Sequence, residues 1–172
     1  MSRITELFQS SPLGAGGHGI FNVYCTAGYP ELDSTLKVMK ALQDNGADLI
    51  ELGMPYSDPL ADGPVIQASG AKAIANGMTI PVLFEQLKEW KKMNGANSYP
   101  SGAGGLPVIL MGYMNPVLQF GFEKFCQYCA EASIDGLILP DLPEYEYETE
   151  YGEIIQRYGL DFIFLVTPET SE

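Results

Sequence analysis

Three segments of the chain repeat one pattern, in which a Gly or polar lead-in and an Asp precede a short apolar run with a Pro at its exit. These segments span residues 46–55, 134–143 and 159–168, and the apolar runs at 21–27 and 107–111 fit the same series. Near-continuous apolar strands are typical of a parallel sheet whose faces are covered by helices. The repeat therefore predicts an α/β protein with five parallel strands.

Helical patterns fill the gaps between these strands. Apolar residues recur at helical spacing over residues 32–42, 83–90, 122–130 and 147–158, and Pro64 is a favoured first residue of a further helix. Alternating strands and helices build right-handed βαβ units, either in an open doubly wound sheet or in part of a (β/α) barrel. No Gly-x-Gly-x-x-Gly turn lies between a strand and a helix, and functional-looking residues follow the strands, which favours the barrel.

Length and charge narrow the possible functions. A chain of 172 residues is long enough for one domain with a real core, so we expect residues 1–172 to form a single domain. The net charge of −13 argues against binding to nucleic acid or to an anionic membrane surface. No apolar run approaches membrane-spanning length, and an odd count of three cysteines suits a reducing compartment. The cytoplasm is the expected location.

Glu51 is the residue that says most about chemistry, because it interrupts the apolar run at residues 49–53. A carboxylate in a buried strand costs free energy unless it has a partner or a function. Asp62 follows eleven positions later, beyond a Pro-rich loop. Two carboxylates at one strand end suit acid–base chemistry on a neutral organic substrate. Structural alternatives stay open: Glu51 pairing with a neighbour, or Asp62 capping the helix that begins at Pro64.

Other catalytic routes lack their residues. A Schiff-base aldolase needs a Lys at a strand end, yet every Lys falls on a helical segment. A zinc aldolase needs several His ligands, and His18 is the only His in the chain. Cys126 and Cys129 form a C-x-x-C on the apolar stripe of a helix, so we interpret both as core residues. The Gly-rich residues 101–105 are interpreted as a linker, and no metal site is predicted.

A longer motif then becomes recognisable. Residues 52–64 read Leu-Gly-Met-Pro-Tyr-Ser-Asp-Pro-Leu-Ala-Asp-Gly-Pro, which resembles the signature of the tryptophan synthase alpha subunit family. The resemblance extends to Thr-Ala-Gly-Tyr-Pro at 26–30, Gly-Tyr-Met-Asn-Pro at 112–116 and Pro-Asp-Leu-Pro at 140–143. It implies a (β/α)₈ TIM-barrel fold and the cleavage of indole-3-glycerol phosphate, a small phosphorylated substrate, to indole and glyceraldehyde 3-phosphate in tryptophan biosynthesis.

The resemblance also implies roles for individual residues. Glu51 would be the general acid–base, and Asp62 would accept a hydrogen bond from the indole N–H. Tyr24 and Tyr113 would line the indole pocket.

A partner is implied in the same way. Asp58, Pro59 and Asn115 would face a beta subunit in an alpha2beta2 heterotetramer. Pyridoxal phosphate would belong to that beta subunit, and this chain would carry no cofactor of its own.

Full barrels of this type run to about 250 residues, so the resemblance implies that this chain covers about the first five βα units. We expect a C-terminally truncated or partial barrel that keeps Glu51 and Asp62 and lacks most of the phosphate site. Two alternative functions remain open. One is another phosphate-sugar barrel isomerase, and the other is a non-catalytic module that only binds a beta-type partner.

Overall fold

The computed structural model describes residues 1–10, 19–93 and 105–170. The predictions for His18 and for residues 101–104 lie outside these described residues. Within them the strands are β1 (Asn22–Thr26), β2 (Leu49–Gly53), β3 (Val108–Met111), β4 (Gly136–Ile138) and β5 (Asp161–Phe162). The helices are α1 (Arg3–Ser10), α2 (Ser34–Asp44), α3 (Pro64–Ala75), α4 (Ile80–Met93), α5 (Met114–Phe120), α6 (Phe122–Glu131), α7 (Glu144–Glu146) and α8 (Gly152–Arg157), with a π-helical turn at Tyr147–Tyr151 between the last two.

All five strands form one parallel sheet in the order β1-β2-β3-β4-β5. Neighbours in space are thus neighbours in the chain, without the reversal of strand order that defines a doubly wound sheet. This order selects the barrel from the two architectures that the sequence left open. All carboxyl ends of the strands lie along one rim, and the register places Tyr24 of β1 beside Glu51 of β2.

The two faces of the sheet bury different sets of residues. Ile50 and Leu52 of β2 are fully buried in the main core, which packs between the sheet and the helices. Leu49, in the alternating position, belongs to a smaller cluster with Ile109, Ile138 and Ile4 of α1. Because side chains alternate along a strand, Glu51 shares the face of Leu49, which we call the inner face.

The Asp of the sequence repeat has a structural role at the amino ends of the strands. Asp48 accepts a hydrogen bond from the amide of Phe21 at 2.8 Å, just before β1. Asp135 accepts one from the amide of Val108, the first residue of β3, at 2.9 Å. Each Asp therefore fastens the start of the preceding strand to its own, which explains why the repeat places an acid before the apolar run.

Helix α1 was not predicted from the sequence. Its Arg3 donates from Nε and Nη2 to the two carboxylate oxygens of Asp135, each at 2.6 Å, and from Nη1 to the carbonyl of Gly105 at 3.0 Å. Asp135 is 9% exposed, so this paired bridge is largely desolvated. The bridge holds α1 across the amino end of the inner face, where Ile4 packs.

The remaining helix predictions were confirmed, with two differences in detail. Pro64 begins α3, and Thr79 accepts the amide of Val82 at the start of α4. The predicted last helix contains a π-helical turn, and α5 occupies a stretch where no helix was predicted. Strand β5 has two residues, fewer than its apolar run of residues 162–166 suggested, and within the described chain it pairs with β4 alone.

Candidate active site

Glu51 lies at the centre of β2, half-buried on the inner face. Its Oε1 accepts a hydrogen bond of 2.6 Å from the side-chain amide of Asn22, on β1. The strand carboxylate therefore has a neutral donor as its partner.

Tyr24 lies in register with Glu51, across β1 and β2. Its ring covers Gly53, where an added Cβ would lie 2.6 Å from Cζ and 2.8 Å from Cε2 of Tyr24. Burial raises the pKa of Tyr24, the Thr26 hydroxyl lowers it, and the charges of Asp62 and Glu51 raise it further. Tyr24 is thus the aromatic neighbour of Glu51 on the inner face.

Asp62 does not cap the helix that follows it. The residue before α3 is Gly63, and no side chain caps that helix. Burial raises the pKa of Asp62, and the nearby hydroxyl of Tyr113 lowers it by less. The structural alternative, in which Asp62 caps α3, was thus wrong.

Tyr113 connects the loops that follow β2 and β3. Its hydroxyl accepts a hydrogen bond from the amide of Ala61 at 3.0 Å. Burial is the main cause of its raised pKa, so the phenol stays protonated at neutral pH. The hydrogen bond ties the loop that contains Asp62 to the segment that follows β3.

A cavity of about 270 Å³ lies beside Tyr113 at the carboxyl rim. The ring of Tyr56 forms one wall, 5.2 Å from the Tyr113 ring between centroids. Asn115 donates to the Tyr56 hydroxyl at 2.8 Å, and Asp58 lines the same cavity. Pro59 instead lines a second cavity of about 580 Å³, between this loop and α3.

The structure therefore brings Glu51 and Tyr24 together on the inner face and places Asp62 on the loop after β2. Sequence reasoning missed two residues that contact this pair, Asn22 and Gly53. Asn22 gave a signal that could have been used, because it is the polar residue within the apolar run at 21–27. Gly53 gave none, since only the packed Tyr24 ring shows why that position has no side chain.

The described residues offer little for other kinds of chemistry. Within residues 1–10, 19–93 and 105–170, no group of three His, Cys, Asp or Glu side chains could hold a metal ion. Cys126 and Cys129 are buried in the main core, as predicted. The described part of the chain also has no helix that is both long and apolar enough to cross a membrane.

Fold and site together define a β/α-barrel protein in which Glu51 and Tyr24 lie side by side on two parallel strands, and Asp62 and Tyr113 follow β2 and β3. Residues 13–172 match the family model for the tryptophan synthase alpha chain. The alpha chain of Parabacteroides distasonis is 49% identical over 172 residues, and that of Flavobacterium johnsoniae is 47% identical over the same span. The chain therefore belongs to the tryptophan synthase alpha chain family.

Solved structures agree with this assignment. The alpha subunit from Legionella pneumophila str. Paris superposes with a TM-score of 0.87 at 37% identity, over 99% of this chain and 61% of the other. Tryptophan synthase from M. tuberculosis gives 0.84 at 31% identity, over 99% and 63%. The two alignments with curated relatives include all of this chain, but they cover only 61% and 62% of the relatives' own lengths. The fold is thus that of the family barrel, represented here by five parallel strands and the helices between them.

Proposed function

We propose that this chain carries the acid–base centre for retro-aldol cleavage of indole-3-glycerol phosphate to indole and glyceraldehyde 3-phosphate. The reaction breaks one carbon–carbon bond and moves one proton from a hydroxyl group to a ring carbon. The reaction needs no oxidant or reductant, so carboxylic acid side chains can carry out its proton transfers. Residues 1–172 act in this proposal as one domain that contains no cofactor.

Glu51 is the proton carrier. In its acid form it protonates the indole ring carbon that holds the glycerol chain, which places positive charge on the ring nitrogen. As a carboxylate it then takes the proton of the neighbouring hydroxyl. That oxygen becomes the aldehyde carbonyl, the carbon–carbon bond breaks, and its electron pair returns to the ring and neutralises the nitrogen. General acid–base catalysis of this kind contributes about 10²–10⁴-fold to rate.

Asp62 stabilises the charge that develops in the ring. Its carboxylate accepts a hydrogen bond from the indole N–H, which grows stronger as the nitrogen becomes positive. The Tyr113 hydroxyl supports this role because it binds the amide of Ala61, the preceding residue, and so holds the loop without adding a charge. Tyr24 and Tyr113 supply the aromatic surfaces against which the indole ring packs.

One observation carries the proposal: Glu51, a carboxylate on the inner face, lies in register beside Tyr24 on the neighbouring strand. An indole ring is planar and has its N–H and its reactive carbon on one five-membered ring, so its two acids must approach the same plane. Asp62 follows on the loop after β2, which Tyr113 binds through the amide of Ala61. All lysines, from Lys37 to Lys124, lie in helices, which supports a mechanism without a Schiff base.

We further propose that the protein acts in the cytoplasm with a beta subunit that binds pyridoxal phosphate, in an alpha2beta2 assembly. The support is the rim loop, where Asp58, Pro59 and Asn115 lie around the Tyr56 ring and beside two cavities. Those residues would contact the partner. Replacing Asn115 with Ala removes the hydrogen bond to Tyr56 and should weaken binding of the beta subunit in a calorimetric titration.

The activity is tested by incubating the protein with indole-3-glycerol phosphate, with and without a beta subunit, and measuring released indole. Glu51→Gln keeps the shape of the side chain and removes its acid–base function, so it should lower the rate by about 10²–10⁴-fold. Glu89→Gln, on the exposed side of α4, is the matched control. Equal rates for Glu51→Gln and the wild type would refute the mechanism, and no indole from the wild type would refute activity of this chain.

A further inference from the structure

We propose that Asn22 is a positioning residue, whose side-chain amide holds the Glu51 carboxylate in one orientation and directs its proton to Oε2. The proposal rests on the proposed function, since it assigns Glu51 the role of proton carrier. Its physical basis is the hydrogen bond from Asn22 Nδ2 to Glu51 Oε1 at 2.6 Å. Among the described residues, Asn22 is the one hydrogen-bond donor that reaches this carboxylate.

The register of the sheet brings the two residues together. Asn22 pairs with Leu49 and Tyr24 with Glu51, so Asn22 lies diagonally below Glu51 on the same inner face. Diagonal neighbours in adjacent strands are within reach of long side chains. Asn22 itself is exposed and takes no part in the core, so its contact with Glu51 is its visible role.

The chemistry of an amide suits this task. A glutamate side chain has three rotatable bonds, and one fixed oxygen removes most of that freedom. The amide N–H keeps Oε1 as an acceptor whether Glu51 is ionised or protonated, so the proton resides on Oε2. An amide has no charge and does not titrate between acidic and basic pH. It therefore orients the carboxylate without neutralising it, which a Lys or Arg in that place would do.

Nuclear magnetic resonance tests the contact without any need for activity. The Asn22 side-chain amide signal, identified by its loss in Asn22→Ala, should move when Glu51→Gln replaces the carboxylate that it contacts. Asn45 donates to the carbonyl of Ala41 at the end of α2, so its amide signal should be the same in both proteins. The three-bond couplings of Glu51 should report one rotamer in the wild type and averaged rotamers in Asn22→Ala.

Kinetics then separate positioning from simple structural support. Asn22→Ala should lower kcat about tenfold with little change in KM, because one hydrogen bond to a charged group is lost. Asn45→Ala, the matched control, should leave kcat unchanged, and both variants should unfold at similar urea concentrations. Asn22→Gln, which keeps the donor, should recover part of the rate.

Three results would overturn the inference: an Asn22 amide signal that ignores Glu51→Gln, a single Glu51 rotamer in Asn22→Ala, or equal kcat values for the Asn22→Ala and Asn45→Ala proteins. A wild type that releases no indole would refute the proposed function instead. In that event the two resonance measurements still decide whether Asn22 fixes the carboxylate.

Discussion

Gly53 is the position where one added methyl group should disturb the site most directly. It ends β2 on the inner face, and its backbone does not have the positive φ that would favour glycine. A Cβ built there lies 2.6 Å from Cζ and 2.8 Å from Cε2 of Tyr24. Carbon atoms in contact lie about 3.5–4.0 Å apart, so in Gly53→Ala the Tyr24 ring must move by about 1 Å or more.

The size of the effect follows from the surroundings. Overpacking a fixed core costs about 1–3 kcal/mol. Tyr24 is only half-buried, so its ring can swing partly away, and we expect Gly53→Ala to lower the free energy of unfolding by about 1–2 kcal/mol. The displaced ring should also leave its place beside Glu51 and Asp62, which weakens binding of an indole ligand.

Gly70 in α3 provides the matched control, because nothing lies within 4 Å of a Cβ added there. Ala is favoured over Gly inside a helix by about 1 kcal/mol, so Gly70→Ala should stabilise the protein. Urea unfolding followed by circular dichroism should thus show opposite shifts for the two Gly→Ala changes. In a Tyr24→Ala background the cost of Gly53→Ala should vanish. An unchanged cost in that background would show that the clash with Tyr24 is not its cause.

Three further predictions concern other parts of the molecule. Burial raises the pKa of Cys126 to about 12 and that of Cys129 well above its ordinary value. A thiol reagent should therefore label both cysteines slowly in the folded protein and rapidly in urea. Fast labelling without urea would contradict this. Removing one partner of a largely buried ion pair costs about 3–5 kcal/mol, so Asp135→Ala should destabilise the protein strongly. A double-mutant cycle with Arg3→Met should give a clear coupling energy. If the two substitutions instead lowered stability additively, the ion pair would be excluded as the cause. Burial raises the pKa of Asp62 above 3.8, so the folded state holds its proton more tightly than the unfolded state does, and stability falls as pH rises through the range just above 3.8. Asp62→Asn should reduce this loss of stability, which chemical denaturation across the same pH range would measure. An equal dependence of stability on pH in the variant and the wild type would contradict the prediction.

The strands could be predicted from the sequence because each reads as a short apolar run, three of them with a Pro at the exit. Their order could not, because a doubly wound sheet and a barrel use the same local pattern. The order is set by the pairing of β1 with β2 and of each later strand with its predecessor, which depends on contacts between distant residues. The apolar run of the fifth strand also overstated its length, since pairing rather than composition decides where a strand ends.

Helix α1 shows where local reasoning stops. Eight residues give too little periodic pattern to predict a helix with a definite packing face. What fixes α1 is Arg3, whose carboxylate partner Asp135 lies 132 positions away in the chain. A sequence pattern indicates that an acid precedes β4, but it does not identify the residue that binds it.

The candidate site was predicted unevenly for the same reason. Glu51 was visible because a charge inside an apolar strand is a local anomaly. The use of Asp62 was not, because Asp-Gly-Pro before a helix equally suits a cap, and only the folded start of α3, which no side chain caps, excludes that role. Asn22 completes the group through strand pairing alone.

Strand β2 shows how one short segment serves both the fold and the site. Its residues at even positions, Ile50 and Leu52, are fully buried against the helices, while Glu51 and Gly53 alternate onto the inner face. A pleated strand imposes this division, because successive side chains point to opposite faces. Ile50 and Leu52 therefore fix the strand in the core, while Glu51 lies on the other face, outside that core. A one-residue shift in register would exchange the two sets, so the buried Ile50 and Leu52 also specify where Glu51 points.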